Sequence, residues 1–135
     1  MNLSKLTTEV ISLTVEVGEF IRNEALVFDH ERVEYKGLHD MVSYVDKTAE
    51  QRLVKALSTL LPEAGFVTEE KTSTVKGEKY NWIIDPLDGT TNFIHGIPTF
   101  SVSIALQFDN ELVFGVVYEI NRDECFSAWK NGGAY

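Results

Sequence analysis

Residues 100–108 alternate between apolar and polar or small side chains. The apolar positions are Phe100, Val102, Ile104, Leu106 and Phe108. Successive side chains of a β-strand point to opposite faces, so this pattern predicts a strand with one face in a core. Asp109-Asn110 predicts a tight turn after it. The runs 112–118 and 124–129, with another turn at 121–123, predict two further strands of an antiparallel meander.

The first 60 residues follow a different period. Apolar side chains recur at steps of three and four between residues 3 and 21, and again between residues 45 and 60. Such spacing places them on one face of a helix, so two helices are predicted. The second is expected to begin near Ser43, where Ser43-Tyr44-Val45-Asp46 fits a capping box, and to end at Pro62. The polar stretch 29–40, with His30, Gly37 and His39, predicts a loop or short hairpin.

Together these patterns predict an α+β fold, with two N-terminal helices packed on an antiparallel sheet. A short strand is also predicted over 80–85, ending at Pro86 because proline cannot continue a central ladder. Lys130-Asn131-Gly132-Gly133 predicts a last turn, and two residues follow it. We therefore expect an open sheet edge there, and we interpret the chain as a fragment of a longer polypeptide.

The net charge of −9 restricts the partners of the chain. A nucleic-acid backbone would be repelled, so no nucleic-acid partner is expected. A phosphorylated substrate would be repelled as well, unless some carboxylates hold divalent cations and so reverse the local charge. No apolar run approaches the length of a membrane span and no signal core is visible, so we expect a cytoplasmic protein without a membrane partner.

The segment Trp82–Phe93 is the richest in reactive groups. It reads Trp-Ile-Ile-Asp-Pro-Leu-Asp-Gly-Thr-Thr-Asn-Phe. Asp85 ends the predicted strand and Asp88 follows on a loop. Gly89 would let a ligand approach the backbone closely, and a short helix predicted over 91–96 would offer free N–H groups to a phosphate.

The nearby side chains offer hard oxygen ligands, namely Glu69, Asp85, Asp88 and the Thr90 hydroxyl. Without a Cys/His cluster, zinc and copper are disfavoured, whereas Mg²⁺ prefers oxygen ligands and can orient an attacking water. Each piece alone also has a purely structural interpretation. Asp85–Gly89 alone fits a turn, Asp46 a helix cap, and Glu69-Glu70 a solvated loop.

Asp85–Phe93, preceded by Trp82 and by Glu69-Glu70, resembles the metal-binding signature of the inositol monophosphatases. The resemblance extends over nearly the whole chain, through Gly115–Tyr118. It implies the N-terminal half of the sugar-phosphatase αβαβα fold, with residues 1–135 as one metal-binding domain. The wider superfamily includes fructose bisphosphatases and phosphoadenosine-phosphate phosphatases.

The resemblance also implies a role for each site residue. Glu69, Asp85, the carbonyl of Leu87 and Asp88 would hold Mg²⁺, two or three ions in the complete enzyme. Thr90 with Glu69 would position the attacking water, and Asp46 would support Thr90 as a proton acceptor. Asp88, Gly89 and Thr90 would bind the substrate, whose phosphate would lie on the N–H groups of Gly89 and Thr90.

The implied reaction is hydrolysis of a small phosphorylated metabolite, inositol monophosphate above all, by a Mg²⁺-activated water. A phosphoadenosine-phosphate or sugar-phosphate phosphatase, or a non-catalytic metal- or phosphate-binding fragment, are the alternatives. The family has a second domain with a further Trp-Asp motif and another aspartate ligand, which these 135 residues lack. We therefore expect a homodimeric protein that binds metal but, as an isolated chain, turns over little substrate.

Overall fold

The structure is a computed structural model that describes residues 1–30 and 35–135. Its elements are α1 (Leu3–His30), α2 (Tyr35–Leu60), β1 (Gly65–Thr68), β2 (Tyr80–Asp88), α3 (Thr90–Ile94), β3 (Ser101–Phe108), β4 (Glu111–Glu119), β5 (Glu124–Trp129) and β6 (Gly133–Ala134). The strands form one sheet in chain order, from β1 to β6. The predicted α+β class, with two N-terminal helices beside a meander, is confirmed.

The sheet is mixed, so the prediction of a purely antiparallel sheet is wrong at one edge. From β2 to β6 every neighbouring pair is antiparallel, but β1 runs parallel to β2. β1 has four residues, of which only Gly65 and Phe66 are buried, and this is too short to show a period. Its pairing is also distant in sequence, with Gly65 opposite Asn81.

The predicted loop over residues 29–40 is wrong for the residues that the structure describes. α1 continues to His30 and α2 begins at Tyr35, while 31–34 lie outside the described residues. The predicted capping box at Ser43 is therefore wrong too, because Ser43 lies inside a helix. Gly37 costs the helix about 1 kcal/mol, which burial of side chains such as Val42 offsets.

Two predicted boundaries and the predicted chain end also differ from the structure. β2 passes Pro86 through a bulge and pairs again with β3 at Asp88. α3 spans Thr90–Ile94 instead of 91–96. The last turn does have a returning strand: β6 pairs with β5, and the backbones of Tyr135 and Ser127 exchange hydrogen bonds of 2.7 and 2.9 Å.

The core lies between the two long helices and one face of the sheet. Its most buried side chains include Val10, Val17 and Ile21 of α1, Val45, Ala49, Leu53 and Leu57 of α2, and Trp82, Ile84, Val102, Ile104, Leu106, Val116 and Tyr118 of the sheet. The other face of the sheet, called here the outer face, exposes apolar side chains such as those of Val117 and Phe126. No helix within residues 1–30 and 35–135 has both the length and the hydropathy to cross a membrane.

Gly18 allows α1 to approach β4 closely. A Cβ atom added at Gly18 would lie 2.5 Å from Cε2 of Tyr118. The ring of Tyr118 is held in place, because its hydroxyl donates a hydrogen bond to Asp123 and accepts one from Nη2 of Arg22 at 3.2 Å. The distance between helix and sheet at this point is thus set by the absence of a side chain.

We expect Gly18→Ala to lower the free energy of unfolding by roughly 1–2 kcal/mol, because overpacking against a fixed ring outweighs the better helix propensity of alanine. Urea denaturation followed by circular dichroism measures this change. Gly115→Ala is the matched control, since a Cβ there meets no atom within 4 Å and should be neutral or slightly stabilising. Equal effects of the two changes would contradict the packing argument.

Candidate metal centre

The parallel pairing of β1 and β2 brings two acidic strand ends to one edge of the sheet. Thr68 pairs with Ile84, so the next residues along the two strands are Glu69 and Asp85. The N–H of Glu69 also donates to the carbonyl oxygen of Ile84 at 3.3 Å, which extends the ladder by one step. Parallel strands end at the same edge, and this is why residues 16 positions apart become neighbours.

The bulge in β2 places both aspartates on the same face of the sheet. Asp85 pairs with Ser103 and Asp88 with Ser101, so three steps along β2 match two steps along β3. In a regular strand, residues three apart point to opposite faces, and the extra residue of a bulge reverses this. The buried pair Pro86 and Leu87 forms the bulge.

Gly89 connects the bulge to α3. Its φ of +103° is in the left-handed region, and a Cβ atom there would lie 3.0 Å from the carbonyl oxygen of Thr99. Both facts require glycine at this position. The Thr90 hydroxyl donates to the carbonyl oxygen of Leu87 at 3.2 Å, and that oxygen retains a second lone pair for a cation. This hydrogen bond does not involve Asp46, so the pairing of Thr90 with Asp46 stays a prediction.

Asp46 is 5% exposed and lies well inside α2, which excludes its interpretation as a helix cap. Burial, followed by the negative charges of Glu70, Asp85, Glu50 and Glu69, raises the pKa of Asp46 from 3.8 to about 7. Desolvation and like charge both penalise the ionised form. A carboxyl group with this pKa can take up or release a proton near neutral pH.

The adjacent carboxylates of Glu69 and Glu70 act on different neighbours. Glu70 raises the pKa of Asp46 more than Glu69 does, whereas Glu69 raises the pKa of Asp85 more than Glu70 does. The pKa of Asp85 is raised by burial first and then by Asp88 and Glu69, while the N–H of Leu87 opposes the shift. Of the two, Glu69 is therefore the stronger electrostatic neighbour of Asp85, and Glu70 is the stronger electrostatic neighbour of Asp46 in α2.

The acidic residues at this edge fit a hard divalent cation in their chemistry. They supply only oxygen donors, and none of Asp46, Glu69, Glu70, Asp85 and Asp88 forms an ion pair with a described residue. A group of like charges of this kind is stabilised by a cation among them. In the described part of the chain, however, no three acidic, histidine or cysteine side chains converge into a group that could hold a metal ion.

Sequence reasoning missed Glu50, which is fully buried in α2. Its carboxylate accepts hydrogen bonds from the N–H groups of Glu70 at 2.8 Å and of Thr72 at 2.9 Å. One signal was available. Glu50 follows Asp46 by four residues, so the two acids lie on the same helix face, within the apolar stripe that faces the core.

A sequence model of the inositol monophosphatase family matches residues 2–135. The inositol-1-monophosphatase of Mesorhizobium japonicum is 39% identical over 137 aligned positions, which cover 100% of this chain and 51% of that protein. The fructose-1,6-bisphosphatase/inositol-1-monophosphatase of Aquifex aeolicus is 37% identical, covering 99% of this chain and 51% of that protein. The chain thus spans about half the length of the curated relatives it matches.

A solved structure shares this architecture. The crystal structure of the extragenic suppressor protein suhB from Bartonella henselae superposes with a TM-score of 0.83 and 37% sequence identity. The match covers 97% of this chain and 51% of that one. The similarity therefore extends over the two long helices and the sheet.

Because the folded pKa of Asp46 is raised, the metal-free chain should lose stability as the pH rises from about 4 to about 7. Below pH 4 both states hold the proton, and above pH 7 neither does, so this contribution is constant outside that range. We expect Asp46→Asn to raise the free energy of unfolding at pH 8 by on the order of 1 kcal/mol or more, and to change it little at pH 4.

Urea denaturation of both proteins in a chelator, from pH 4 to pH 8, measures this difference. Asp40→Asn, at an exposed position in the same helix, controls for the change in net charge. An Asp46→Asn variant that is less stable than the parent at pH 8 would contradict the conclusion that burial and neighbouring negative charges raise the pKa of Asp46.

Proposed function

The chain belongs to the inositol monophosphatase family, and from that premise we propose that it serves the metal-dependent hydrolysis of a small phosphate monoester, inositol monophosphate above all. The observation that supports this most is the acidic edge. There, the parallel strand ends and the β2 bulge bring Glu69, Asp85 and Asp88 beside the glycine turn that opens α3. Paired carboxylates next to free backbone N–H groups suit a metal-bound phosphate.

We propose Glu69, Asp85, Asp88 and the carbonyl of Leu87 as Mg²⁺ ligands, for two or three ions in a complete enzyme. Glu69 and Asp88 are exposed, so changes of their rotamers can bring their oxygens together with that of Asp85. Bound Mg²⁺ would polarise a phosphoryl oxygen and lower the pKa of an attacking water.

The side chains and backbone of this chain would carry out the remaining steps. Asp88, Gly89 and Thr90 would orient the phosphate group, with the backbone N–H groups of Gly89 and Thr90 donating to its oxygens. Glu69 and Thr90 would hold the attacking water. Asp46 would accept a proton through Thr90.

Two alternatives remain beside this function. The Aquifex aeolicus relative is named as a fructose-1,6-bisphosphatase as well, which favours a sugar phosphate as the alternative substrate. A non-catalytic metal- or phosphate-binding module would bind the same ligands without releasing phosphate. Metal titration followed by a phosphate-release assay separates these functions. We further propose a homodimer, for which the apolar outer face of the sheet is one available surface.

We expect Asp85→Asn to weaken Mg²⁺ or Mn²⁺ binding by at least about tenfold, because it would remove a charged oxygen from the proposed set of metal ligands. Isothermal titration calorimetry measures the affinity. Glu63→Gln is the control, since this exposed carboxylate lies on the loop after α2 and should leave the affinity unchanged. Equal affinities of the two variants would remove the metal assignment.

We expect the 135-residue chain to bind metal and yet to release phosphate from inositol monophosphate on the order of 100-fold more slowly than the Mesorhizobium japonicum relative. The reason is the second domain that the resemblance implies, whose further aspartate ligand would be needed to hold a second ion. Phosphate release by both proteins at the same Mg²⁺ concentration tests this. Comparable turnover by the chain, abolished by Asp85→Asn, would show that its own residues suffice.

A further inference from the structure

Glu50 is a buried carboxylate that the proposed reaction does not use. It is completely buried in α2, and both of its oxygens accept hydrogen bonds from the loop between β1 and β2. The donors are backbone N–H groups, those of Glu70 at 2.8 Å and Thr72 at 2.9 Å. Removing a carboxylate from water is unfavourable unless its oxygens are paired in this way.

These two hydrogen bonds fix the loop where it leaves β1. Residues 69–79 contain neither helix nor strand, so no regular ladder holds this segment. Lys71, between the two donors, has a φ of +54°, a left-handed backbone conformation that residues other than glycine rarely adopt. Two N–H groups flanking such a residue can converge on one anion, and here that anion is Glu50.

The segment held by Glu50 carries Glu69. On one side, the N–H of Glu69 is bonded to Ile84 at 3.3 Å, and on the other side the N–H of Glu70 is bonded to Glu50. Both peptide groups that flank the Cα of Glu69 are therefore fixed, and with them the direction of its side chain. Glu50 also lies one helical turn after Asp46, so α2 controls both the proton acceptor and the Glu69 segment.

The position of Glu50 has an electrostatic cost for the site. Its charge is one of those that raise the pKa of Asp46 and Glu70. A glutamine would avoid that repulsion, but it has an acceptor at only one of the two oxygen positions that the loop N–H groups use, and an N–H₂ donor at the other. The need to accept both loop N–H groups therefore explains a carboxylate at position 50, although its charge repels the neighbouring acids.

We propose that Glu50 is a positioning residue, which holds the backbone of residues 69–72 so that the carboxylate of Glu69 is directed towards Asp85. This inference rests on the proposed function, because Glu69 is taken as a metal ligand. Glu50 itself touches neither the metal nor the substrate. Loss of Glu50 should therefore lower the metal affinity and speed the amide hydrogen exchange of the loop.

The first test is Glu50→Gln, which keeps the shape of the side chain but replaces one acceptor by an N–H₂ donor. We expect faster amide hydrogen exchange at Glu70 and Thr72, seen by NMR, and about tenfold to hundredfold weaker Mn²⁺ binding, seen by electron paramagnetic resonance. Leu57→Ala is the control for stability. It opens the core in the same helix away from the loop and should keep the Mn²⁺ affinity within about twofold.

A second pair of variants separates positioning from charge and remains available if Glu50→Gln does not fold. Lys71→Pro fixes φ near −65° and forbids the observed φ of +54°, whereas Lys71→Gly allows it. Both variants remove the same charge from the same exposed position. We expect the proline variant to lose Mn²⁺ affinity about tenfold or more and the glycine variant to stay within about threefold of the parent.

The outcomes distinguish this proposal from the proposed function. If the parent chain binds Mn²⁺ and either Glu50→Gln or Lys71→Pro binds it equally well, the positioning role is wrong and the metal assignment stands. If the parent binds no Mn²⁺, the proposed function fails, and with it the role of Glu50 in directing a ligand. If exchange at Glu70 and Thr72 is unchanged in Glu50→Gln, Glu50 does not anchor the loop.

Discussion

The parallel pairing of β1 with β2 is the constraint on which the acidic edge depends. Only a parallel pair brings two carboxyl-terminal strand ends together, and here those ends are followed by Glu69 and Asp85. An antiparallel edge strand would have carried Glu69 to the opposite end of the sheet. The parallel pairing needs the 69–79 connection to cross back, and the two hydrogen bonds to Glu50 fix the start of that crossover.

The helices contribute more than a cover for the core. α2 buries Leu53 and Leu57 against the sheet and, on the same face, presents two acids to the site. Burying acids among like charges opposes folding, which is visible in the raised pKa of Asp46. The apolar contacts of α1 and α2 with the sheet therefore stabilise a site that repels itself. A cation bound among these carboxylates would offset their mutual repulsion and stabilise the folded chain.

The sequence was sufficient to predict the meander, whereas the roles of Glu69, Asp85 and Asp88 stay predictions. The alternation around Ile104 and the spacing of Asp85 and Asp88 are local patterns, and both correspond to features of the structure. β1 was missed because four residues hold no period and its partner is distant in sequence. The helix boundaries were wrong because tertiary packing outweighs the weak preferences of Gly37 and the polar stretch. Glu50 was missed because its partners are backbone N–H groups, which its spacing from Asp46 alone does not identify.

The bulge at Pro86 and Leu87 gives the acidic edge a geometric requirement in addition to its chemistry. Asp85 and Asp88 are three positions apart, and only the extra residue of the bulge keeps both carboxylates on one face of the sheet. A change that straightened β2 without removing a residue would leave every carboxylate in the chain but turn Asp88 to the opposite face. Deleting Pro86 or Leu87 would instead remove the extra residue, and the ordinary two-residue period would keep both aspartates on the same face. The orientation of the two aspartates is therefore more sensitive to a straighter strand than to a shorter one, a difference that comparison of acidic residues alone would not reveal.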